Sequence, residues 1–91
     1  MLTNSSAFLK KADKGNYAIG GFNVNNMELL QAIVEAGVEK KSPLIIQTSQ
    51  GAIKYAGIEM LGAMVHSIAK DVKIPIAFHL DHGTDVDLVK E

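Results

Sequence analysis

The run Ile-Pro-Ile-Ala-Phe-His-Leu-Asp-His-Gly at residues 74–83 decides the fold class of this 91-residue chain. From Ile74 to Leu80 apolar residues occupy much of both pleat faces, the pattern of a strand buried on both sides in a parallel sheet. Pro75 is compatible with that reading because proline is admitted near a strand's first residue. The run ends in a carboxylate, Asp81, and an imidazole, His82, and Gly83 is expected to supply a sharp turn. Thr84 reads as the N-cap of a following helix, with Asp87 in its acidic first turn. In α/β proteins, groups at the carboxyl ends of core strands stand where ligands bind.

Two earlier runs repeat the pattern. Tyr17 to Val24 and Leu44 to Ser49 read as strands. Between them Met27, Leu30, Ile33, Val34, Gly37 and Val38 fall at helical spacing. Asn25 is the expected cap of that helix, with Glu28 completing a capping-box pattern, and Pro43 ends it. Leu61, Met64, Val65, Ile68, Ala69 and Val72 mark a second helical stripe before residue 74. Residues 3–14 read as a leading helix closed by Gly15. Strand ends thus recur roughly every thirty residues, the length of a βα unit, which implies crossovers and a parallel sheet. The polar strand ends Asn23, Ser49 and Asp81 would then face one site, and alternation puts Gly21 with Asn23, Gln47 with Ser49, and His79 with Asp81.

The expected fold class is therefore α/β, about three βα units of a (β/α)8 barrel. A closed barrel takes about 250 residues. Residues 1–91 are accordingly expected to be the N-terminal part of a single barrel domain, incomplete at its C-terminus.

Composition narrows the function classes. With 47% hydrophobic and 21% charged residues, the chain has globular and not disordered character. A formal net charge of -1 leaves no footprint for nucleic acid or an anionic membrane. All nine basic residues are lysines, so the bidentate arginine fork for phosphate is missing. The lack of cysteine excludes disulfides and thiolate chemistry. The first residues lack a signal-peptide pattern and no apolar run is of membrane-spanning length, so a cytoplasmic protein is expected.

Two readings fit the Asp81–His82 pair. Either Asp81 caps the next helix and His82 is a loop histidine, or His82 ligates a divalent metal while Asp81 moves a proton nearby. His79 is expected to support one of the two, and His66 to lie on the surface. Asn23 and Ser49 are either hydrogen-bond partners of a substrate or turn residues. Gly20–Gly21 matches neither the dinucleotide fingerprint nor the P-loop; close packing within the sheet explains it better.

Three stretches together, Gly-Gly-Phe-Asn-Val-Asn-Asn (20–26), Ser-Pro-Leu-Ile-Ile-Gln-Thr-Ser-Gln-Gly-Ala (42–52) and His-Leu-Asp-His-Gly (79–83), resemble class II fructose-bisphosphate aldolases. Gly21, where the family usually has alanine, and Phe78, where leucine is common, are small departures. The resemblance implies a Zn2+-dependent barrel lyase that reversibly cleaves fructose 1,6-bisphosphate to dihydroxyacetone phosphate and glyceraldehyde 3-phosphate, in glycolysis and gluconeogenesis. It implies His82 as the first of three zinc-ligating histidines and Asp81 as the acid/base at the substrate's C4 hydroxyl. Asn23 and Ser49 are implied as substrate-binding residues. It further implies sugar-bisphosphate and triose-phosphate partners, a homo-oligomeric parent, and remaining ligands and phosphate-binding segments beyond residue 91. The segment alone is expected to be inactive. The alternatives are a tagatose-bisphosphate aldolase and a non-catalytic truncated remnant.

Overall fold

Buried and half-exposed residues alternate along Leu44–Ser49, and this run forms the central strand β2 in a computed structural model that describes residues 1–90. Before it come α1 (Ser6–Gly15), β1 (Gly21–Asn23) and α2 (Met27–Lys40); after it come α3 (Gln50–Ala56), α4 (Ile58–Lys70), β3 (Ile76–Asp81) and α5 (Val86–Lys90). The sheet order is β1-β2-β3, with both pairings parallel. The registers run from Gly21 opposite Ile45 to Asn23 opposite Gln47, and from Leu44 opposite Ile76 to Ser49 opposite Asp81.

One face of the sheet carries the core. Leu44 and Ile46 of β2, Ile76 of β3 and Val24 meet Leu30 and Val34 of α2 and Val65 and Ala69 of α4, all buried. Burying a side chain such as Ile46 contributes about 1.5–3 kcal/mol. Ala52, Ile53 and Leu61 form a second buried cluster joined by Leu80 and Leu88, which seats α3 and α5 beside the upper end of β3. At the lower end Leu2 bridges Ile76 in parallel. The Met1 ammonium donates to the carbonyls of Ala69 (2.7 Å), Val72 (2.8 Å) and Ile74 (2.9 Å), a cation at a helix C-terminus. Desolvation lowers its pKa from the usual α-amino value.

The expected α/β pattern is present, with local differences that have physical causes. β1 is shorter than Tyr17–Val24: its ladder opposite β2 runs from Gly21 to Asn23, and although the Gly20 carbonyl still accepts from the Ile45 amide (3.1 Å), β2 begins at Leu44, so Tyr17–Ile19 lie past its end. β3 begins at Ile76 and not Ile74. The cap of α2 is Asn26, whose Oδ1 accepts from the Leu29 amide at 2.9 Å; the register is one residue later than expected, so Glu28 lies in the first turn without forming the box. Asn16, and not Gly15, takes the left-handed position closing α1 (φ 58°), as Lys41 does for α2 (φ 53°). Two helices, and not one, join β2 to β3. The break falls at Gly57, whose φ of 88° and ψ of 138° interrupt the helical path.

Gly37 shows how closely α2 rides on the sheet. A Cβ there would meet Leu44 Cδ1 at 2.7 Å and Ile74 Cδ1 at 3.0 Å. Gly37→Val should therefore destabilise by about 1–3 kcal/mol through overpacking, although it removes a glycine from a helix. Denaturant unfolding of the two proteins measures this; a stabilised variant would mean that α2 does not sit this close to β2.

Candidate active site

The registers decide what meets at the carboxyl end of the sheet. Residues paired across parallel strands project to the same side, so Asn23, Gln47 and His79 form one row and Ser49 and Asp81 the next. Two carboxamides and a carboxylate are linked there. Gln47 Nε2 donates to Asn23 Oδ1 (3.1 Å), and Asn23 Nδ2 donates to Asp81 Oδ2 (3.2 Å). With its oxygen occupied by Gln47, the Asn23 amide is oriented with its donor toward the carboxylate. Gly21 makes room for this chain, because a Cβ there would lie 2.7 Å from Gln47 Oε1.

Ser49 ends β2 and caps α3: its Oγ accepts from the Ala52 amide at 3.1 Å. The hydroxyl hydrogen is not used by that bond and is left to donate elsewhere, one position across the sheet from Asp81. The turn-residue and the substrate-contact readings of Ser49 are thus compatible.

His82 turns the chain, and Gly83 does not. His82 has φ 56°, in the left-handed region that costs an ordinary residue about 1–2 kcal/mol. Gly83 is needed for another reason: a Cβ there would meet Leu80 Cδ2 at 2.8 Å and Val89 Cγ2 at 3.0 Å. The turn swings the imidazole out of the strand. Its side chain is 88% exposed, and Nε2 lies 3.7 Å from Asp81 Oδ1. Asp81 therefore presents one oxygen to Asn23 and the other toward His82.

His79 lies in the row below, exposed, and lines a hollow of about 400 Å³ with Thr3, Leu9, Ile45 and Gln47. The side-chain partners of Asp81 are Asn23 and His82, so the expected support from His79 is supplied by Asn23 instead. His66 is exposed on α4, as expected. Lys54 and Tyr55 project from α3 into solvent.

Residue-by-residue reading missed two further groups. Gln47 was legible only as a face-mate of Ser49. Gln50 carried no signal, yet its Oε1 accepts from the amides of Thr84 (3.1 Å) and Asp85 (2.7 Å), and its Nε2 donates to Thr84 Oγ1 (2.9 Å). Thr84, engaged in this way, does not cap α5. Asp85 does, accepting from the amides of Asp87 (3.0 Å) and Leu88 (3.3 Å).

The donor chemistry suits a divalent metal of the zinc type at His82, an exposed imidazole beside a carboxylate. Among the described residues no group of three His, Cys, Asp or Glu side chains converges to hold an ion. Among the described residues no helix is long and apolar enough to cross a membrane.

Comparison with known proteins points the same way. The family described as Fructose-bisphosphate aldolase class-II matches residues 3–91. A fructose-bisphosphate aldolase of Helicobacter pylori (strain ATCC 700392 / 26695) is 53% identical over 85 residues, covering 92% of this chain and 28% of the relative. One of Thermus caldophilus is 46% identical over 89 residues, covering 98% and 29%. A 6-phospho-5-dehydro-2-deoxy-D-gluconate aldolase of Halalkalibacterium halodurans is 39% identical over 93 residues, covering 99% and 32%. The crystal structure of the YdjI aldolase from Escherichia coli K12 superposes with a TM-score of 0.92 at 32% identity, covering 99% of this chain and 35% of that one. The chain thus spans about a third or less of the length of these proteins.

The left-handed turn at His82 has a measurable consequence. His82→Gly and His82→Ala both remove the imidazole, but only glycine relieves the backbone cost. His82→Gly should be more stable than His82→Ala by about 1 kcal/mol in denaturant unfolding. Equal stabilities would place the turn elsewhere.

Proposed function

This chain belongs to the class II fructose-bisphosphate aldolase family, and from that membership and the geometry of its strand ends we propose that residues 1–91 are the N-terminal part of a (β/α)8-barrel lyase. Its reaction is the reversible aldol cleavage of fructose 1,6-bisphosphate to dihydroxyacetone phosphate and glyceraldehyde 3-phosphate. The substrate assignment follows the names of the Helicobacter and Thermus relatives. The enzyme is read as cytoplasmic and homo-oligomeric, acting on sugar phosphates and not on nucleic acid or membranes.

One observation supports this reading most: Asp81 is held by Asn23 on one oxygen and faces the outward-turned His82 with the other. Asp81 is the proton-transfer group. In the cleavage direction it takes the proton of the C4 hydroxyl, the C3–C4 bond breaks, and the electron pair moves toward the C2 carbonyl. In condensation Asp81 returns the proton. The Asn23 amide donates to the carboxylate and holds it in place during both steps. Ser49 has a free hydroxyl donor and, with Asn23, binds substrate oxygens at the sheet's edge.

The family is generally zinc-dependent, and His82 fits as one zinc ligand. A catalytic zinc takes three protein ligands, so the others would come from outside the described residues. When bound, the ion supplies Lewis-acid polarisation of the substrate's ketone oxygen. The lysines of this chain have no part in a Schiff base on this reading.

Roles this distinct separate on mutation. In the complete enzyme Asp81→Ala should keep its zinc and lose turnover by about a hundredfold or more. His82→Ala should lose the metal itself. Zinc stoichiometry beside turnover decides; an active Asp81 variant, or a His82 variant with its full zinc content, overturns the assignment.

A further inference from the structure

Asp81 and Thr84 are each fastened to β2 or its continuation, and only two residues lie between them. Asp81 is the last residue of β3, in register with Ser49. Thr84 and Asp85 are bound by the side chain of Gln50, the first residue of α3. The free span is His82 and Gly83, with His82 in the left-handed conformation. Fixing both ends of so short a span fixes the direction in which the His82 side chain leaves the backbone between them.

We propose that Gln50 is a positioning residue: its carboxamide holds the Thr84–Asp85 segment and thereby keeps His82 aimed beside Asp81. The proposal rests on the reading of Asp81 and His82 given above. Three features support it. Residues 82–87 are all exposed, and beyond the close approach of Gly83 to Leu80 and Val89 it is hydrogen bonds that hold this segment. Gln50 is itself anchored, because Ser49 beside it caps α3 and ends β2. The contact also suits a carboxamide. One oxygen accepts two backbone amides while the nitrogen donates to the Thr84 hydroxyl, so both ends of the group are used. The clamp extends to the next helix, since Asp85 accepts from the first amides of α5.

The test uses the complete enzyme with Gln50→Leu and Gln50→Glu. Leucine removes all three bonds; glutamate keeps an acceptor for both amides. In metal-free protein, amide hydrogen exchange at Thr84 and Asp85 should be about tenfold faster with leucine and near the parent rate with glutamate. With zinc loaded, leucine should speed zinc release to a chelator and lower kcat, each by about tenfold, with KM nearly unchanged, and glutamate should restore most of both. Unchanged exchange in the leucine variant overturns the clamp. Faster exchange with unaltered zinc release and kcat overturns the positioning role and leaves a merely structural tie. Failure of the aldolase reading looks different: the parent enzyme, zinc bound, would cleave no sugar bisphosphate. Exchange and zinc release would still judge Gln50 in that case.

Discussion

The parallel register of β2 with its two neighbours is the constraint on which the rest of this structure depends. Side chains along a strand alternate in direction, so a slip of one residue would turn every polar strand end toward the helices. The register is held from the opposite face. Leu44, Ile46 and Ile76 are buried under α2 and α4, and a one-residue slip would turn a strand's apolar set away from those helices. Apolar packing on one side thereby sets polar geometry on the other. Asn23 comes level with Gln47, and Asp81 with Ser49, as a consequence of where the isoleucines fit.

Close approach then refines what register places roughly. Gly21 leaves space for the Gln47 carboxamide, which points Asn23 at Asp81. Gly83 leaves space for Leu80 and Val89, so the chain can double back directly after His82. The backbone cost at His82 is borne by its neighbours: β3 holds one side, and Gln50 with α5 holds the other. A histidine in a left-handed turn beside a strand-end carboxylate is an arrangement that local preference alone would not select.

The periodicities of 2.0 and 3.6 along the chain were sufficient for much of this. Leu44–Ser49 is a strand with the bounds its pattern predicts, the helical stripes that begin at Met27 and Leu61 fall on α2 and α4 except for Val72, which lies past the end of α4, and repetition at βα length implied the parallel sheet that is observed. The three separated polar strand ends, and the family they resemble, were equally legible, because each motif is contiguous and carries its own residue types. Boundaries were less so. Asn25 and Asn26 are both competent caps, and Thr84 and Asp85 are as well; in the second pair Thr84 is engaged by Gln50, far back along the chain, and Asp85 serves.

What sequence alone determined, then, is fold class and family, and it put forward Asp81, His82, Asn23 and Ser49 as candidates. Local pattern is enough for these because hydrophobic spacing and contiguous motifs are properties of short segments. Only the tertiary structure decided how they are joined. The Gln47–Asn23–Asp81 chain spans three strands, and the Gln50 clamp links residues more than thirty positions apart. Left-handed geometry fell to His82, while Gly83 serves the close approach to Leu80 and Val89. Hydrogen bonds and steric exclusion between distant segments exist only once the sheet has aligned them, so no one-dimensional pattern records them.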